Sequence, residues 1–153
     1  MQSPLFSSAH AETYDALAEF SVSPGGTTGV WRYQEFDGAR FTDMQFVLGG
    51  SQFTSHQPAW MAVGYELPVL FKSPNVTEGL VFHPGIPSDG PQPSRHDVAL
   101  SWIAPTSGVY KIDGFVQGDS NFGGNGFEFG VFHQNETLLL LDIVFNDDRN
   151  HVV

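Results

Sequence analysis

The chain contains no cysteine. Disulfides, thiol nucleophiles and zinc–thiolate sites are therefore excluded. Basic residues are scarce: six Lys plus Arg stand against seventeen Asp plus Glu, a net charge of −11. Binding to a phosphate backbone needs a basic surface that six cations do not supply, so no nucleic-acid partner is expected. An anionic membrane surface is disfavoured for the same reason. No apolar run approaches the length of about 18 residues that a membrane-spanning helix requires. Met1-Gln2-Ser3-Pro4 has neither a basic nor an apolar segment, so it does not read as a secretory signal. Either the protein stays in the cell or a leader has been removed. Helical spacing is nearly absent. There is no Gly-x-Ser-x-Gly elbow and no His-Glu-x-x-His pair, and nothing selects a carboxylate pair for glycoside hydrolysis, so no catalytic residue is assigned.

What is present points to strands. Hydrophobic residues make up 41% and charged residues only 15%, with 14 Phe and 17 Gly. That composition suits pleated strands joined by tight turns. A chain of 153 residues is the usual size of one domain, large enough to fold on its own core. Residues 1–14 read as a flexible lead-in and 15–153 as a single domain. Period-two alternation predicts strands over Asp15–Val22, Val30–Phe36, Phe41–Leu48, Val98–Trp102, Val109–Val116, Phe127–Val131 and Leu138–Phe145. In the second of these, Val30, Arg32, Gln34 and Phe36 share one face and Trp31, Tyr33 and Glu35 the other. Residues 51–68 alternate less, and 84–94 form a Pro/Gly loop. Short strands at regular intervals with Gly/Pro punctuation predict an all-β, antiparallel, jelly-roll-like β-sandwich. His151-Val152-Val153 reads as the opening of another strand, so the domain is expected to lack its last one or two C-terminal strands.

Trp31 and Trp102 lie in alternating strands and read as core. Trp60 follows Pro58 in an irregular segment, where an exposed indole would stack on the apolar face of a sugar. Tyr65 and His83 join it as candidate ligand-binding residues. His83 precedes Pro84, which makes it extended there, and its simplest role is a corner histidine bonded to backbone. The loop Gly118–Gly126 contributes Asp119, Asn121 and Asn125. It reads first as a hairpin loop whose Gly and Asn supply positive φ. Its oxygens also make Asp119 and Asn121 candidate calcium ligands. Asp142, Asp147 and Asp148 read as a solvated strand end. The six histidines, His10, His56, His83, His96, His133 and His151, show no close metal-binding spacing.

Three segments taken in order resemble a known module. They are Phe20-Ser21 with Gly29-Val30-Trp31-Arg32-Tyr33, then Leu80-Val81-Phe82-His83-Pro84-Gly85, then Val98-Ala99-Leu100-Ser101-Trp102-Ile103-Ala104-Pro105-Thr106-Ser107-Gly108-Val109-Tyr110. The chain resembles, over roughly residues 15–145, a bacterial extracellular β-sandwich module found in PEP-CTERM-sorted secreted proteins and beside carbohydrate-active domains. That module has a "GVWSYG" strand, an "HPG" corner, a "RWTAPxxGxY" hairpin and a strand carrying "NGT", where Asn135-Glu136-Thr137 stands here. Ser101 replaces the Arg before the Trp, and the loop after His83 is longer. The resemblance implies an extracellular or cell-surface, non-catalytic module that binds a polysaccharide or glycan. Two alternatives differ in class. One is an assembly or adhesion subunit forming homo-oligomers through open sheet edges. The other is a metal-dependent jelly-roll enzyme that gathers distant histidines.

Overall fold

The computed structural model describes residues 12–23, 29–75, 79–85, 96–117, 127–133, 137–144 and 151–152. The chain divides into two compact units at Thr106/Ser107. The first contains β1 (Trp31–Phe36), β2 (Phe41–Asp43), β3 (Gln45–Val47), β4 (Ala59–Met61), β5 (Val69–Lys72), β6 (Leu80–His83) and β7 (Asp97–Trp102). Every pairing is antiparallel. One sheet has the order β2-β1-β7 and the other is a meander, β3-β4-β5-β6. No helix among the described residues is long and apolar enough to cross a membrane.

The two sheets form the antiparallel sandwich that the alternation predicts. Trp31, Tyr33, Val98 and Leu100 from the first meet Phe46, Trp60, Leu70 and Leu80 from the second, with Phe20 and Met44 among them. Register explains this grouping. Trp31 lies opposite Trp102 and Tyr33 opposite Leu100, and paired residues share a face. Burying a side chain such as Leu70 contributes about 1.5–3 kcal/mol.

The predicted strand Phe41–Leu48 is two strands. Met44 divides it: β2 pairs with β1, and β3 pairs with β4 in the other sheet. At the corner, the Met44 amide donates to the Tyr33 carbonyl at 2.9 Å and the Met44 side chain is buried between the sheets.

The meander is apolar on both faces. Its outer face holds Ala59, Met61, Val69 and Phe71, covered by Leu67 and Phe53 from the connecting segments. Strands buried on both sides read as continuous apolar runs rather than alternating ones, which is why 51–68 alternates so little. Phe53 sits in a single 3-10 turn (Gln52–Thr54) capped by Ser51.

Asp15–Val22 is not a strand. The Asp15 carboxylate accepts the amides of Leu17 and Ala18 at 2.9 and 3.0 Å, and the Glu19 amide reaches the Asp15 carbonyl. This local bonding winds the segment into a turn instead of offering its amides to a sheet. The segment is then pinned to the sandwich by aromatic side chains. Tyr33 Oη accepts the Ser21 amide at 2.8 Å, Trp60 Nε1 donates to the Ser21 carbonyl at 2.9 Å, and Trp31 Nε1 donates to Glu19 at 2.9 Å.

Burial raises the Tyr33 phenol above its ordinary value, the Ser21 amide opposes this and Glu19 adds to it. The neutral phenol is therefore favoured in the folded state. Its contribution is intact below the ordinary phenol value of 10.0 and is lost as pH climbs from there through the raised native value. The urea midpoint followed by circular dichroism is expected to fall more steeply with alkaline pH in the native protein than in Tyr33→Phe. Parallel slopes would contradict this assignment.

The second unit contains β8 (Phe115–Val116), β9 (Phe127–His133), β10 (Thr137–Val144) and β11 (His151–Val152). β9 pairs with β10, with a register shift between Leu138 and Leu140, and β11 pairs with β8. The strand expected over Val109–Val116 is confined to its last two residues. Val109 is fully exposed and Ile112 is 63% exposed. His151–Val152 is a strand, as read. The loops 86–95 and 118–126 lie outside the described residues.

Candidate functional site

The outer face of the three-stranded sheet assembles the chemistry that the sequence leaves scattered. Trp31, Tyr33 and Glu35 point toward the other sheet or its rim, so Arg32, Gln34 and Phe36 point outward. Register places neighbours beside each. Phe36 lies between Phe41 of β2 and Asp97 of β7, Gln34 lies between Asp43 and Ala99, and Arg32 lies beside Ser101.

Two of these rows are built by specific contacts. Phe36 and Phe41 stack with centroids 4.6 Å apart and planes at 26°. In the next row the Gln34 amide donates to Asp43 Oδ1 at 2.8 Å, and the Ser101 hydroxyl donates to Gln34 Oε1 at 2.7 Å. The result is an aromatic pair beside a polar row that crosses all three strands. Gln34, Phe36, Phe41 and Ser101 are half-buried, and Asp43 and Asp97 are exposed. Ala99 presents a short side chain beside Gln34. Arg32 turns its guanidinium onto the carbonyls of Gly29 and Trp31, at 2.9 and 3.0 Å.

The hairpin turn fixes the aromatic pair. Asp37 Oδ1 accepts the amides of Ala39 and Arg40 at 2.8 and 2.7 Å, and Gly38 takes φ +92. Those two amides, Arg40's first, hold the Asp37 carboxyl below the usual carboxylate range. The turn thus keeps its anchoring charge to lower pH than an ordinary aspartate would. At the same end of β1, His96 Nδ1 donates to Glu35 Oε2 at 2.8 Å, with both side chains less than one-fifth exposed.

The residues singled out from sequence are placed differently. Trp60 is neither exposed nor in an irregular segment. It lies in β4, is 2% exposed, stacks on Tyr33 at 4.6 Å and meets the edge of Phe46. It serves the core because the strand's inner face carries it there, so it offers no ring to a sugar. Tyr65 is exposed in the turn between β4 and β5. His83 ends β6, where Nδ1 donates to the Pro84 carbonyl at 2.9 Å and the ring meets the edge of Phe53. Neither Tyr65 nor His83 belongs to the three-stranded sheet. Asp119, Asn121, Asn125, Asp147 and Asp148 lie outside the described residues, as does the side chain of Asp142. Trp31 and Trp102 pack as read, Trp31 against the core and Trp102 against Tyr14 at 5.3 Å.

Among the described residues no group of three His, Asp or Glu side chains is placed to hold a metal ion. A depression lined by Leu17, Lys72, Ser73, Asn75 and Gly79 has a volume of about 210 Å³. That is below the roughly 300–1,000 Å³ of small-molecule pockets. The outer face of the three-stranded sheet, with the specific contacts it gathers, is taken as the candidate site.

Period-two spacing separates Arg32, Gln34 and Phe36 from Trp31, Tyr33 and Glu35. That Phe41, Asp43 and Ser101 complete their rows depends on register, which spacing does not carry. No family model, curated protein or solved structure matches this chain.

Proposed function

We propose that this protein is a non-catalytic module that binds carbohydrate on the outer face of its three-stranded sheet, in an extracellular or cell-surface setting. The observation that carries the reading is the Phe36–Phe41 pair standing beside the Asp43–Gln34–Ser101 row. A sugar presents an apolar patch of C–H groups and a rim of hydroxyls. The aromatic pair supplies dispersion and CH–π contact for the first. The amide, hydroxyl and carboxylate supply orienting hydrogen bonds for the second, from side chains already held in place. The extracellular setting rests on the motif resemblance.

Affinity electrophoresis through gels containing soluble polysaccharides tests the reading. The protein is expected to be retarded by at least one polysaccharide. Phe36→Ala and Phe41→Ala are each expected to weaken that retention about tenfold, which corresponds to about 1.4 kcal/mol of lost stacking. Unchanged far-ultraviolet circular dichroism would show that the sheet survives the substitution. Full retention in the double variant would contradict the proposed face.

A further inference from the structure

We infer that Asp113 is a site of spontaneous covalent modification, where the main chain rearranges through a cyclic imide to isoaspartate, and that Asp37, which also precedes a glycine, is protected from the same reaction by its turn. The inference is independent of the carbohydrate reading.

The reaction needs an aspartate followed by a small, compliant residue. The backbone nitrogen of that next residue attacks the side-chain carboxyl carbon, water leaves, and a five-membered imide closes. Water then opens the ring. Attack at the side-chain carbonyl restores aspartate. Attack at the main-chain carbonyl leaves the chain running through the side chain, with a free α-carboxylate. One water is lost and one regained, so the product has the mass of the parent. Glycine is the best second residue because no Cβ obstructs the approach and its backbone turns freely. Nitrogen and carbon belong to adjacent residues, so the rate follows how readily they reach the near-attack arrangement.

Asp113-Gly114 meets these needs. Residues 111–114 have no regular secondary structure, and all are exposed. The Asp113 side chain is 70% exposed, and its partner is the equally exposed Lys111 ammonium at 2.8 Å. A surface pair of this kind restrains a side chain weakly. Among the described residues no backbone hydrogen bond holds Gly114, and a Cβ placed there would meet nothing within 4 Å. Nitrogen and carboxyl can therefore close on one another without disrupting packing.

Asp37-Gly38 has the same two residue types, and both are exposed as well. Their bonding differs. Asp37 Oδ1 accepts the amides of Ala39 and Arg40 at 2.8 and 2.7 Å, and the Asp37 amide donates to the Arg40 carbonyl at 3.2 Å. Imide closure would break both side-chain bonds and unwind the turn between β1 and β2. The same bonds, Arg40's first, hold the carboxyl below its usual range and so disfavour the neutral acid, whose hydroxyl is the better leaving group. Exposure alone therefore does not select the site.

The rearrangement also has a structural consequence. It adds one carbon to the main chain directly before β8, whose pairing with β11 spans only Phe115 and Val116.

Prolonged incubation of the full chain at mildly acidic pH in heavy-oxygen water tests this, with peptide mapping by electron-transfer fragmentation to locate isoaspartate. Isoaspartate is expected to form about tenfold or more faster at Asp113 than at Asp37, with one heavy oxygen in each product. Gly114→Ala, which the space around Gly114 accommodates, is expected to slow the reaction several-fold. In urea the turn is lost, so Asp37 should react about as fast as Asp113, while Asp113 should change little. Equal rates at the two sites in the native protein overturn the inference. So does a rate at Asp113 that rises with urea as steeply as at Asp37, since that marks a restrained segment. Isoaspartate formed without heavy oxygen rules out the imide and overturns it as well.

Discussion

Trp60→Ala is expected to destabilise the sandwich unit by about 3–5 kcal/mol, the usual cost of deleting a buried indole. The ring is 2% exposed and joins the two sheets by stacking on Tyr33 at 4.6 Å. Phe46 meets its edge at 5.6 Å. Its Nε1 also donates to the Ser21 carbonyl, which is one of the bonds that hold residues 15–22 against the core. Alanine would remove the packing, open a cavity and leave that carbonyl without its donor. Trp60→Phe keeps a ring in place and loses only the donor and part of the volume, so a smaller loss of about 1–3 kcal/mol is expected. Urea unfolding followed by circular dichroism measures both. A loss below about 1 kcal/mol for the alanine variant would contradict the buried placement. So would efficient quenching of the Trp60 indole by a charged solute. The prediction also separates structure from function: Trp60 acts on stability, and Phe36 and Phe41 on binding.

The second large effect concerns Gly50. It adopts φ +53, and a Cβ placed there would lie 2.0 Å from the Gln57 carbonyl oxygen and 2.1 Å from Thr54 Oγ1. Left-handed backbone costs an alanine about 1–2 kcal/mol, and the overlap with a backbone oxygen adds about 1–3 kcal/mol. Gly50→Ala is therefore expected to cost about 2–5 kcal/mol by these two terms. The neighbouring Gly49 has nothing within 4 Å of such a Cβ, so Gly49→Ala should stay within about 0.5 kcal/mol. The reason for the tightness lies in the 3-10 turn. Thr54 is fully buried, and its hydroxyl accepts the Ser51 amide at 2.9 Å while lying 3.0 and 3.1 Å from the Ser51 and Gln57 carbonyls. Closing that knot brings the chain against Gly50 and sets Phe53 over Ala59, Met61 and Val69. Thermal unfolding of the two glycine variants side by side checks the contrast. Equal effects would mean that the loop relaxes and the knot is not what holds the outer face closed.

Much of the sandwich was legible in the sequence, and the exceptions have physical causes. β1 and β7 alternate cleanly because each has one face on the core and one outside. Their inward residues were identified correctly. Trp60 was misplaced because its strand is covered on both sides, which erases the period of two. Asp15–Val22 alternates but does not join a sheet, since the Asp15 carboxylate takes the amides that a strand would have used. Alternation over Val109–Val116 was equally misleading. Period-two hydrophobicity records which face a strand would bury and not whether a partner strand arrives, and only Phe115–Val116 meets one, at His151–Val152.

The candidate site was half legible. Residues Arg32, Gln34 and Phe36 could be assigned to the face opposite the core from spacing alone. Their partners could not, because cross-strand neighbours follow from register. Here the Asp37 turn sets that register by binding the amides of Ala39 and Arg40, which brings Phe41 beside Phe36. Ser101 donates to Gln34 and completes the polar row.

The most direct measurement is a backbone and aromatic NMR titration of the intact chain with a polysaccharide fragment that retards it in gels. The account predicts shifts concentrated on Arg32–Phe36, Phe41–Asp43 and Asp97–Ser101, with the ring protons of Phe36 and Phe41 moving most and the Trp60 indole unmoved. Shifts centred on the meander or on the second unit, with those three strands silent, would contradict it.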